Sequence, residues 1–106
     1  MQIEKKKYTV MVDDNFHFTD ESERYEAGSF DSAEEAINDC RRITEESVRG
    51  LYLKGITPAG LRDRYITFGE DPFVRSDEGT VYFSAWDYVT EDLCARIIAD
   101  VKTKQP

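Results

Sequence analysis

Histidine occurs once, tryptophan once and cysteine twice in the 106 residues. These scarcities remove several chemistries. His17 is the only imidazole, so a Ser-His-Asp or Cys-His arrangement would have to use it. It sits in a polar stretch, and no Gly-x-Ser-x-Gly elbow is present. Cys40 and Cys94 belong to no C-x-x-C pair, which removes zinc-ribbon and thioredoxin-type motifs. A small secreted domain would carry more cysteines, evenly paired. Both thiols are therefore expected to be reduced, buried and inert. The six glycines and three prolines are scattered. Neither G-x-G-x-x-G nor a Walker A loop occurs, so no phosphate-cradling loop is expected. No apolar run approaches the roughly 18 to 20 residues that cross a bilayer. Residues 1–7 are basic with no long apolar stretch behind them, unlike a secretory signal. The expected location is the cytoplasm, that of a bacterium.

Acid is what the chain has in excess. Twenty-two Asp and Glu stand against 14 Lys and Arg, for a net charge of −8. Phosphate binding needs a basic face, so nucleic acid is not expected as a ligand, and neither is a membrane. The charge is uneven. Residues 8–40 hold ten acids and one base, and residues 65–100 hold eight acids and two bases. Residues 41–64 hold six bases and three acids. Acidic surface suits basic protein partners and cations. Arg41 and Arg42 stand four residues before Glu45 and Glu46, so pairing within a helix accounts for them.

Hydrophobic spacing predicts an α+β domain spanning residues 1–106. Tyr8, Val10 and Val12 alternate with Thr9 and Met11, a strand pattern. Residues 24–30 read as a weaker strand, with Gly28 at a bulge or bend. Ser32 and Glu35 form a capping box that starts an amphipathic helix ending at Gly50 or near Leu53. Thr57-Pro58 opens a second helix that stops before Gly69. Residues 69–72 read as a loop. Residues 73–75 and 80–83 read as a hairpin. A last helix is capped by Ser84 or by Thr90. Under the second choice, residues 84–89 prolong the strand. The expected order is ββααββα: two hairpin-plus-helix units forming a four-stranded antiparallel sheet with two long helices on one face.

Three segments, Val12-Asp13-Asp14-Asn15-Phe16-His17, Phe68-Gly69-Glu70-Asp71-Pro72-Phe73 and Phe83-Ser84-Ala85-Trp86-Asp87-Tyr88, resemble those of a family of small uncharacterised bacterial proteins. The resemblance extends over most of the length. It implies a compact bacterial domain, and it carries no activity or site residue with it.

Two regions concentrate candidate binding groups. The first is residues 13–23, with Asp13, Asp14, Asn15, His17, Asp20, Glu21 and Glu23. Oxygen donors at this density can hold a divalent cation. The EF-hand pattern fails, because the sixth position from Asp13 is Phe18 rather than Gly. The plainer expectation is a solvated acidic loop pinned to the core by Phe16 and Phe18. The second region joins Glu70 and Asp71 to Trp86 and Asp87. If the carboxylates face one another they can share acid–base work. Carboxylate beside aromatic also builds a site for a cationic ligand or a basic side chain. The plainer expectation makes Phe68, Phe73, Phe83 and Trp86 core, with Asp87 in a capping box.

No catalytic residue, metal or cofactor is assigned. The leading expectation is a protein-interaction module, of inhibitor or immunity type in its specific form, acting through its acidic face on a partner with a basic surface. The alternative is a small-molecule or divalent-metal site built from the carboxylates and His17. A homodimer subunit is a third expectation. A carboxylate site would show converging, poorly solvated acids with raised pKa values.

Overall fold

The computed structural model describes residues 7–17, 24–77, 79 and 81–104. Three strands form one antiparallel sheet: β1 (Tyr8–Asp14), β2 (Tyr25–Phe30) and β3 (Glu70–Ser76), in the order β2-β1-β3. Four helices accompany them: α1 (Ala33–Gly50), α2 (Pro58–Phe68), α3 (Ala85–Tyr88) and α4 (Glu91–Lys104). A single 3-10 turn, Asn15–His17, follows β1.

The α+β class holds, but the four-stranded ββααββα sheet does not. The expected hairpin is absent from the described residues, and residues 81–84 are irregular. Phe83 is used differently: it packs against both buried clusters of the molecule and meets the Tyr88 ring at 5.8 Å. The remaining strand is longer than expected. It begins at Glu70, inside the segment read as a loop, and pairs with the distant β1 along its whole length. Pro72 is tolerated because β3 is an edge strand, where a missing N–H can face away from the ladder. It lies opposite Val12, and both are fully buried.

Local signals account for most helix ends. The Ser32 Oγ accepts the Glu35 N–H at 3.1 Å, and Thr57 Oγ1 accepts the Gly60 N–H at 3.0 Å. The long helix stops at Gly50. The last helix is two helices, because both suggested caps act. Ser84 Oγ accepts the Asp87 N–H at 3.3 Å and starts α3; Thr90 Oγ1 accepts the Leu93 N–H at 3.1 Å and starts α4. Residues 84–89 therefore neither prolong a strand nor join α4. Gly28 does mark a bulge: Val10 pairs with Gly28 but Met11 with Glu26, leaving Ala27 as the extra residue.

Two buried clusters hold the elements together. Val10 and Val12 of the central strand pack under Ala36, Cys40 and Ile43 of α1. Leu61 and Tyr65 of α2 pack with Val89, Leu93, Ile97 and Ile98 around α4. α1 contributes Ala36, Cys40 and Ile43 to the first and Val48 to the second. Its buried positions recur at helical spacing, so one helix can serve both. The basic residues serve the scaffold. Arg42 bridges Asp39 and Glu46, Arg49 pairs with Asp100, and Arg62 and Arg64 donate to the carbonyls of Val89 and Leu51. Among the described residues no helix is long and apolar enough to cross a membrane.

Candidate functional site

The β1–β3 register sets Asp13 directly opposite Asp71. Residues opposed in an antiparallel ladder point to the same face with Cβ atoms roughly 5 Å apart. Val12 and Pro72 are buried on the α1 side, so the period of two turns Asp13 and Asp71 to the other face. At the end of the strands this face meets α2 and α3. There Asp13, Asn15, Ile66, Asp71 and Trp86 line a cavity of about 370 Å³.

Asn15 ties this corner together. It is buried, and its backbone N–H donates to the Gly69 carbonyl at 2.9 Å. Its side-chain amide donates to the Tyr65 carbonyl at 2.9 Å and accepts the Trp86 indole N–H at 3.1 Å. The strand end, the last turn of α2 and the short helix α3 are thus joined by one side chain. Trp86 remains 44% exposed. It is a wall of the cavity, not part of the core.

The two carboxylates differ in their partners. Asp13 receives both Arg24 donors, Nε at 2.6 Å and Nη2 at 3.2 Å. The Arg24 guanidinium also lies over the Phe73 ring, 5.1 Å from its centroid. Asp71 has no hydrogen bond or ion pair among the described residues. Burial pushes its carboxyl up to about 6, and the Asp13 charge adds to the shift. Burial disfavours a lone charge, and a neighbouring charge of the same sign does so again.

The remaining sequence-singled residues lie elsewhere. Glu70 points to the α1 face, where it accepts the Tyr25 hydroxyl and lines a second concavity of about 400 Å³ with Arg42, Glu46 and Ser47. Consecutive strand residues face opposite sides, so Glu70 and Asp71 do not converge. Asp87 accepts the Tyr82 hydroxyl at 2.9 Å beside the cap of α3. Asp14 Oδ1 accepts the Phe16 N–H at 2.9 Å in the turn that ends β1. His17 belongs to the 3-10 turn, and its side chain lies outside the described set, as do Asp20, Glu21 and Phe18. Phe16 does not pin a loop to the core. It is 58% exposed and stacks on Phe68, itself 48% exposed, at 5.4 Å.

Among the described residues no three His, Cys, Asp or Glu side chains are grouped to hold a metal ion. Cys40 and Cys94 are buried and free, and burial pushes the Cys40 thiol up to about 12. Both are inert at neutral pH.

No family model, no curated protein and no solved structure matches this chain. The site is therefore read from its own chemistry. Its floor is a carboxylate pair with a single compensating arginine, and its walls are Ile66 and the Trp86 indole. In the sequence Asn15 counts among the oxygen donors of residues 13–23, not as the residue that ties the cavity together, and Ile66 is not singled out. The long-range pairing of β1 with β3 brings Asn15 to Asp71, and α2, which leads into β3, brings Ile66.

Proposed function

We propose that this chain is a cytoplasmic protein-binding module whose acidic surface docks on a basic partner and whose Asp13–Asp71 cavity receives one cationic side chain of that partner. The observation that carries the reading is Asp71: a half-buried carboxylate with no partner among the described residues, facing a cavity walled by an indole. Such a group is costly to keep unless something opposite in charge meets it. Aromatic surface beside a carboxylate favours a cation. The net charge of −8 steers basic partners toward the surface as a whole. Binding is favoured over acid–base catalysis because both Asp13 oxygens already accept from Arg24.

A pulldown from host lysate tests this, run with the native chain, Asp71→Asn and Trp86→Ala. A stoichiometric partner captured by the native chain, lost by both variants and released by moderate salt supports the reading. A partner captured equally by all three places the interface away from the cavity.

A further inference from the structure

The cavity holds one acceptor that none of the described residues engages. Asp13 is taken by Arg24, and the Asn15 amide is taken by Trp86 and the Tyr65 carbonyl. What remains is the Asp71 carboxyl. The apolar walls of Ile66 and Trp86 take an alkyl chain ending in a cation; a compact ammonium asks for one exposed oxygen of this half-buried carboxyl, whereas a guanidinium fork asks for both in one plane.

The surroundings of Asp71 also decide its empty state. From β1 it faces Asp13, whose charge opposes its own; Arg24, just before β2, is turned to Asp13. On α2 the Asp71 charge acts on Tyr65 and on α1 it acts on Cys40, and burial keeps both neutral. From α3 comes Trp86, which carries no charge. On β3 itself Glu70 points to the opposite face, and exposed Arg75 lies further along the same face. Among the described residues no cation is placed to hold an ionised Asp71.

Resting on the binding reading above, we propose that the cavity is a proton-linked site for an alkylammonium group, such as a lysine side chain: in mild acid Asp71 carries its carboxyl proton while the cavity is empty and loses it when the ammonium enters. The O–H bond of Asp71 breaks and its proton passes to water. The ammonium keeps all its N–H bonds, and an ion pair replaces the neutral acid. Ligand binding and proton release are then linked, so mild acid weakens binding.

Trp86 is the only tryptophan, so its indole N–H resonance reports this site alone. The experiment titrates the full chain with n-butylamine at pH 5.0, 6.0 and 7.5, at constant ionic strength. The amine stays charged throughout. The expected result is a saturable shift with affinity roughly tenfold higher at pH 7.5 than at pH 5.0. In Asp71→Asn both the binding and its pH dependence should be lost. Saturable binding that is flat with pH overturns the proton exchange and leaves the cation-binding reading standing. Tighter binding of n-butylguanidinium overturns the assignment to ammonium. A pH dependence that vanishes in His17→Gln moves the proton to the histidine and overturns the role of Asp71. No saturable shift at any pH overturns this proposal together with the cationic pocket.

Discussion

Asp13 and Asp71 face each other across the β1–β3 ladder, yet only Asp13 holds a cation. Like charges directly opposed in a sheet destabilise it. Arg24 relieves the pair from one side and leaves Asp71 against Ile66 and Trp86. A purely structural position of this kind would be filled more stably by a neutral residue. Binding sites commonly retain such unfavourable groups at the expense of stability.

Neutralising Asp71 should therefore stabilise the protein at neutral pH. The folded carboxyl titrates near 6, above its usual value of 3.8. A raised carboxyl favours folding while protonated. That contribution is complete below about pH 4 and is lost as the pH rises through about 6. One pKa unit corresponds to about 1.4 kcal/mol. Solvent reaches part of the group, which discounts the total to about 1–2 kcal/mol. Urea unfolding at pH 5.0 and 7.5 checks this. The native chain should lose stability across the interval, and Asp71→Asn should lose less and exceed it at pH 7.5. A variant no more stable than the native chain at pH 7.5 contradicts the assignment.

Asn15→Ala should be costly for a different reason. It leaves the Trp86 indole N–H without its partner and takes one of two donors from the Tyr65 carbonyl, which keeps the Gly69 N–H at 2.8 Å. An unmet buried donor costs about 1–3 kcal/mol. The expected loss is about 1–2 kcal/mol in urea unfolding, with a displaced Trp86 indole resonance. Asn15→Asp keeps the acceptor for Trp86 and loses the donor to Tyr65. It should restore the indole resonance without restoring stability.

Local chemistry was well expressed in the sequence. Ser32 and Thr57 cap helices as their spacing suggests, and Ser84 and Thr90, read as alternatives for one helix, cap two, because a cap is decided within four residues. Val10, Val12 and the apolar stripe of α1 likewise declare a buried face. Strand pairing was not legible. Phe73 to Arg75 beside Ser76-Asp77 suggested a hairpin with residues 80–83, whereas β3 pairs with a strand some sixty positions earlier in the chain. The proline at 72 also concealed the start of β3, since only the finished sheet shows it to be an edge. The site follows the same division. Asp13, Asp71 and Trp86 were visible as chemically apt residues, but their meeting depends on register. Asn15, which joins three elements, has no local signature.

The two thiols should report unfolding rather than chemistry. Cys40 and Cys94 are buried in different clusters, Cys40 of α1 with the central strand and Cys94 of α4 with the residues of α2. The Cys40 thiol is pushed up to about 12, so thiolate is scarce at pH 8. Labelling with a disulfide reagent should be slow in native buffer. Its rate should rise with urea in parallel with loss of tertiary structure. Fast labelling of either cysteine without denaturant would contradict the packing.

Gly69 links the stability of the scaffold to the shape of the cavity. It ends α2 with an ordinary negative φ of −78°, so conformational freedom is not why glycine stands there. Space is the reason: a Cβ at this position would overlap the Tyr65 ring and the Tyr65 carbonyl. The ring cannot retreat. Tyr65 is fully buried, and its hydroxyl donates to the Glu70 carbonyl at 2.6 Å. The same carbonyl that would be struck accepts the Asn15 side chain, and the Gly69 carbonyl accepts the Asn15 backbone N–H. Gly69→Ala should thus cost about 1–3 kcal/mol, as overpacking in a filled core does. It should also shift the Trp86 indole resonance, because Asn15 must move with its partners. Tyr65→Phe lacks the hydroxyl that fixes the ring at Glu70. Combined with Gly69→Ala it should lose less stability than the two single costs added. Strict additivity in urea unfolding would show that the alanine methyl is accommodated without moving that ring.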